Sequence, residues 1–136
     1  MLVIRSVEPA KFVPVFWGVP HCCGMKPMQW HAYCRRRGML AFAAELDADL
    51  VGFAVAESGP EVVHVLSLVG DAGTCRLLLQ RVVMAAGERD VSGWCPIDDL
   101  AVRRLFRRLG FVRTGKGRFQ GRPCYLYYWD RNEDVL

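Results

Sequence analysis

The β-prone run from Leu2 to Ser6 predicts a first strand. Two β-prone runs, Met39 to Leu46 and Leu50 to Glu57, flank Asp47-Ala48-Asp49 and predict a hairpin. Ser58-Gly59-Pro60 turns the chain again into a third run, Glu61 to Val69. The second and third runs carry apolar residues on both faces, so the middle of their sheet is expected to be covered on both sides. The period then changes. Cys75, Leu78, Leu79, Val82 and Ala86 recur at i, i+3, i+4, i+7 and i+11, one buried stripe of a helix with Thr74 as its N-cap and Gly87 at its end. Val91 to Cys95 predicts a fifth strand, and a strand, helix, strand run of this length is a crossover between parallel neighbours.

A second helix is expected after Pro96-Ile97, with Asp98 or Asp99 as N-cap. Val102, Leu105, Phe106 and Leu109 form its inner face, which leaves Arg103, Arg104, Arg107 and Arg108 outward; Gly110 suits the left-handed residue beyond its end. Phe111 to Thr114 begins a sixth strand, Gly115 to Gly121 reads as a turn-rich loop, and Arg122 to Trp129 as a last strand. Val7 to Arg37 has no strand pattern and is punctuated by Pro9, Pro14, Pro20 and Pro27. It predicts two short helices, one around Pro9 to Trp17 and one from Met25 or Pro27 to Arg37. Its aromatics (Phe12, Phe16, Trp17, Trp30, Tyr33) belong to the core or to a pocket wall.

Composition narrows the class. The 136 residues suit one domain, 1–136, and 52% hydrophobic with 24% charged residues excludes a disordered chain. The start lacks the pattern of a secretory signal, and no apolar run is long enough to span a bilayer, so a soluble cytoplasmic protein is expected. The net charge of +4 is concentrated in Arg35-Arg36-Arg37 and the four arginines of the last helix. Such clusters either form a solvated helix face, the reading adopted here, or bind nucleic acid or a polyphosphate. Of the six cysteines, Cys22, Cys23 and Cys34 lie with His21 and His31 in a group whose ligand types suit zinc. The group has no CxxC pair, and buried thiols with no metal are expected.

The chemistry centres on the corner between the Glu61–Val69 run and the next helix. A strand that feeds a helix through a glycine-bearing turn leaves unpaired N–H groups pointing one way, at the positive end of the helix dipole. Gly70, Asp71, Ala72, Gly73, Thr74, Cys75 and Arg76 therefore form a candidate phosphate site. Asp71 opposes an anion there, and Arg76 offsets it in part.

The order of elements, together with the stretch DDLAVRRLFRRLGFVRTG from Asp98 to Gly115 and its Leu109-Gly110-Phe111 ending, resembles the GCN5-related N-acetyltransferase (GNAT) family. Gly73 matches the first glycine of the family's acyl-CoA loop; Gly70 and Cys75 replace its usual arginine or glutamine and its small last residue. The resemblance implies an α+β fold of the three-layer type, a central mixed but mostly antiparallel sheet of about seven strands with helices on both faces. It implies transfer of an acetyl group from acetyl-CoA to an amine on a small molecule or peptide. The fourth and fifth strands should splay at their C-terminal ends to admit pantetheine, paired with the backbone of Ser67, Leu68 and Val69 and bordered by Cys95-Pro96. Asp99 stands where the family often has asparagine, and Phe106 where it often has tyrosine, the usual acid.

Acyl transfer needs a base that keeps the amine neutral and an acid for the leaving thiolate. His64, on the strand leading to the corner, has a suitable ordinary pKa and is the candidate base, or else a hydrogen-bonded core histidine. Phe106 has no hydroxyl, so Tyr125, Tyr127 or Tyr128 is the alternative acid, or else strand packing. Glu57 and Glu61 read as exposed hairpin charges. The same residues also admit a non-catalytic binding module of this fold, a nucleic-acid binder through the arginines, and a homodimer paired through Tyr125 to Trp129.

Overall fold

The period-two stretches join into one sheet. The computed structural model describes residues 1–8, 38–119 and 121–130, and among these lie β1 (Leu2–Ser6), β2 (Met39–Leu46), β3 (Asp49–Ser58), β4 (Val62–Val69), β5 (Asp90–Pro96), β6 (Val112–Phe119) and β7 (Arg122–Trp129). Two helices connect them, α1 (Ala72–Ala86) and α2 (Leu100–Arg108). The strand order is β1-β2-β3-β4-β5-β7-β6, with only β4 and β5 parallel among the paired strands. This is the mixed, mostly antiparallel seven-stranded sheet that the GNAT resemblance implies.

Register explains the core. Ala44 stands beside Ile4 and Gly52, Ala56 beside Val65, Val63 beside Val91, and Gly93 beside Tyr127, so alternate residues of neighbouring strands share one face. Against that face pack Cys75, Leu78, Leu79, Val82 and Ala86 of α1 and Leu105 and Phe106 of α2. The residues in between, Ala41, Ala43, Phe53 and Val55, point the other way and are also buried. Both faces of the central strands are therefore covered. The two described helices lie on one of them; the helices expected before Arg37 and the His21/Cys22/Cys23/His31/Cys34 group fall outside the described residues.

Several boundaries differ from the sequence reading. The β2–β3 turn has two residues, with Leu46 opposite Asp49 and both Asp47 and Ala48 at positive φ (50° and 71°). That geometry matches the strand twist, so β3 begins at Asp49. α1 is capped by Asp71, whose side chain accepts from Thr74 N at 2.8 Å, and not by Thr74. Thr74 is buried instead, its methyl so close to Gly52 and Gly70 that a Cβ would fall 2.8 Å and 3.1 Å away. β6 runs on through Gly115 and Gly117 to Phe119. Gly117 answers to the Trp94 ring, 3.2 Å from where its Cβ would be, and not to a turn. Finally, β7 is bonded to β5 on one side and β6 on the other. Its backbone has no open edge, so the homodimer admitted from the sequence cannot form by adding a strand beside Tyr125 to Trp129.

Candidate functional site

The sheet is open at one place. β4 and β5 pair from Val62 and Asp90 only as far as Val65 and Gly93, although β4 continues to Val69 and β5 to Pro96. A bulge starts the separation. Val55 and Ala56 of β3 face Ser67 and Val65, so Leu66 is an extra residue in β4. Beyond it Ser67, Leu68 and Val69 stay with β3, whereas Trp94, Cys95 and Pro96 stay with β7. The two strands thus diverge where Ser67, Leu68, Val69 and Cys95-Pro96 were expected to border a gap. Alternate residues of β4 turn their N–H and C=O groups toward the vacated side.

The corner after Val69 stands at the mouth of this gap. Gly70 has φ 141°, a conformation costly for any side chain. A Cβ on Gly73 would meet nothing nearer than Asp71 Oδ1 at 3.6 Å, so the protein's own packing does not require glycine there. The open space admits close approach of a ligand from outside. Asp71 complicates the anion site: its carboxyl is held below the usual range by the Thr74 hydrogen bonds and, to a smaller extent, by Gly73 N–H. Cys75 N is already bonded to Asp71 O at 2.9 Å. Cys75 does not obstruct the approach, because its side chain turns inward and its thiol lies 3.4 Å from Gly70 O. Burial pushes that thiol to about 11 and the Cys95 thiol to about 12, so both are inert at neutral pH. Asp99 lies near the end of β5, its carbonyl oxygen 3.9 Å from Cys95 Sγ, and its side chain caps α2 by accepting from Val102 N at 3.2 Å.

Arg76 on α1 and Arg104 and Arg108 on α2, with Ala72, Gly73 and Leu105, line a groove of about 460 Å³ that begins at the corner. The sequence reading assigned the α2 arginines to a solvated face. Their spacing held a clue: 104 and 108 share one flank of the helix at i, i+4, and 103 and 107 the other.

His64 lies on the face away from the helices, half-buried, with Nδ1 at 2.5 Å from Ser92 Oγ. Ser92 is its neighbour across the parallel ladder, Glu57 its neighbour on β3, and Trp94 meets it edge-on at 6.3 Å. Burial lowers its pKa below the ordinary value, and the Glu57 charge opposes that shift only in part. The ring is therefore neutral at pH 7, as a base must be. Glu57 is no mere hairpin charge, and neither it nor Ser92 was singled out as a site residue; only the strand register brings them together.

Phe106 is almost wholly buried, stacked on Tyr127 (5.1 Å) and edge-on to Phe111 (5.0 Å). Its Cζ edge lies against Gly93, where a Cβ would be 2.9 Å away, at the last rung before the strands part. Tyr127 belongs to the same buried stack, and Tyr125 lies under the arginines of α2 and β6. Tyr128 OH donates to Asp90 Oδ2 at 2.9 Å, which raises its pKa. No tyrosine hydroxyl among the described residues replaces the one missing at Phe106 as an obvious acid.

Solved structures share this fold. Arabidopsis thaliana NAA60 in complex with acetyl-CoA aligns with a TM-score of 0.75 at 16% identity, over 97% of this chain and 99% of that one. An acetyltransferase of the GNAT family from Streptococcus pneumoniae aligns with 0.68 at 15% identity, over 95% and 99%. The chain has the GNAT fold. The IAA acetyltransferase from Bacillus cereus also shares it, with 0.70 at 17% identity over 94% and 98%. In sequence, no protein-family model and no curated protein matches. The part of the GNAT resemblance read at Leu109-Gly110-Phe111 has a physical basis. Gly110 (φ 92°) follows the α2 cap, and Phe111 N bonds Phe106 O at 2.9 Å, which closes the helix end while the two phenylalanine rings meet.

Proposed function

We propose that the chain is an N-acetyltransferase that carries the acetyl group of acetyl-CoA to an amine on a small molecule or peptide. The observation that carries this reading is the parting of β4 and β5 beside a corner whose Gly73 is open to a ligand. The residues present fit the donor. Ser67, Leu68 and Val69 offer backbone groups on the vacated side of β4, and the corner from Gly70 to Arg76 meets the phosphates. Arg76, Arg104 and Arg108 supply the positive charge that the Asp71 carboxylate weakens there. Asp99 caps α2 beside the gap, and Phe106 packs beneath its base, so both shape the site without touching a proton.

Acetyl-CoA supplies the activated thioester. Neutral His64 takes the amine proton, directly or through water, with Ser92 fixing the ring through Nδ1. The amine nitrogen bonds the acetyl carbonyl carbon as the C–S bond breaks, and the departing CoA thiolate takes its proton from solvent. We place the protein in the cytoplasm: no helix among the described residues is long and apolar enough to cross a membrane, and free thiols at Cys75, Cys95 and Cys124 suit a reducing compartment.

A second reading is a donor-binding module without turnover, favoured by Phe106 in place of a hydroxyl and by Asp71 on the amides of the corner. Binding and turnover separate the two. Acetyl-CoA at 100-fold its dissociation constant should stabilise the protein by about 2.7 kcal/mol, and Gly73→Val should abolish that gain without lowering the melting temperature of the free protein. Absence of stabilisation in the parent sinks both readings. Stabilisation with no acetylation across an amine panel leaves the second.

A further inference from the structure

We propose that the crevice between α2 and the edge strand β6 is a second anion site, which takes a small, multiply charged phosphate compound. The crevice has a volume of about 480 Å³ and is lined by Arg103, Arg107, Arg113, Phe111, Val112 and Tyr127. It lies on the opposite flank of α2 from the groove of Arg104 and Arg108, so it is not part of the proposed donor site.

Three features single it out. First, the guanidinium groups come from two elements, α2 and β6, and no carboxylate is among the described residues that line the crevice. Arg103 and Arg107 stand at i, i+4, a like-charge pair that disfavours its own helix unless a counter-charge is present. Second, the cations are held in place. Arg103 lies over the Tyr125 ring at 4.9 Å and Arg113 over the same ring at 4.4 Å, and Arg103 also donates to Ile97 O at 3.1 Å. Two cations on one ring repel each other, yet neither has an acidic partner in an ion pair among the described contacts. Third, Arg103 Nε is buried without a hydrogen-bond partner, an expensive state for a charged group.

An anion in the crevice answers the first two and gives the guanidinium that carries this Nε a counter-charge. Phosphate oxygens accept from several guanidinium forks at once, and ordering these side chains beforehand removes much of the entropy loss on binding. The crevice has the volume of a small-molecule site, which points to a free phosphate compound and not to a strand of nucleic acid.

The test is calorimetric titration of the full chain with tripolyphosphate at low salt, with and without CoA. Binding should persist in Arg76→Ala/Arg104→Ala/Arg108→Ala and weaken about tenfold or more in Arg107→Ala/Arg113→Ala. The free double variant should melt at or above the parent temperature, since the repulsion is relieved. If it fails to fold, Arg113→Lys substitutes: it keeps the charge, loses the fork, and should still weaken binding measurably. The proposal is overturned if these crevice variants titrate like the parent, or if the Arg76/Arg104/Arg108 variant loses all binding. It is equally overturned if only an oligothymidylate binds, with a steep dependence on salt. Failure of CoA to bind leaves this prediction standing, since the two sites share no residue.

Discussion

His64 shows how a side chain of ordinary chemistry acquires a role from three strands at once. Glu57 and Ser92 flank it in the ladder, and desolvation dominates its titration. Its folded pKa lies below the value near 6.5 that it regains on unfolding, so between the two the unfolded chain binds more protons. Stability from this group is therefore complete above about pH 6.5 and is lost as the pH falls through the folded pKa. His64→Gln should flatten urea-denaturation stability across that window. It should also remove an acid limb of kcat/KM centred below about pH 6.5; a limb that survives in the variant assigns the base elsewhere. Asp71 acts on the donor instead. Exposed and ionised at the mouth of the gap, it would repel the phosphates of a donor bound at the corner. Asp71→Asn keeps the cap and removes the charge, so CoA should bind about fivefold more tightly, roughly the worth of one charge pair near 4 Å in water, as read by calorimetry.

At the scale of elements, short connections carry more of the stability than their sequences suggest. Ala48 occupies φ 71°, where only glycine is at ease, because a two-residue turn is what the twist of β2 and β3 accepts. Ala48→Gly should raise unfolding free energy by about 0.5–1 kcal/mol, measured in urea. Arg89 joins two connections. Its guanidinium donates to Ala86 O (2.9 Å) and Ala85 O (3.2 Å) at the end of α1, and to Ser58 Oγ (2.6 Å) and Gly59 O (3.0 Å) in the β3–β4 turn. It thereby fixes the C-terminal end of α1 to the sheet, with its charge at the favourable pole of the helix. Arg89→Ala should cost about 1.5–3 kcal/mol, and Arg89→Lys should recover only part of it, since an ammonium cannot span all four acceptors. Neither role was legible from pattern. The strands and both described helices were, because Leu78, Leu79 and Val82, or Leu105 and Phe106, repeat with the helix period. The Asp71 cap was missed because Thr74 has the right chemistry in the wrong place: its methyl fills the space over Gly52 and Gly70.

Across the whole molecule, the candidate site exists because two strand pairs part company within one sheet. The gap was legible only through the GNAT resemblance; nothing in Val62–Val69 itself announces that Leu66 will bulge or that pairing with β5 will stop at Val65. The arginines of α2 were legible as charge but not as two flanks, since which flank meets α1 and which meets β6 is decided by packing. The sheet's asymmetry also sets its dynamics. Val63, His64 and Val65 are in register with both β3 and β5, whereas beyond the bulge, among the described strands, β4 stays in register with β3 and β5 with β7. Amide hydrogens that face the gap in Leu68 and Val69 lie beyond the last rung shared with β5, so they should exchange faster than those of Val63 and Val65 in the free protein. Pantetheine in the gap would give those same groups a partner, whereas phosphates at the corner alone would not. Saturating CoA should therefore slow exchange of an amide in Leu68–Val69 by about tenfold or more, with ADP as the control that reaches only the corner. Equal protection by CoA and ADP would place the whole ligand outside the gap and leave the parting of β4 and β5 without a role in donor binding.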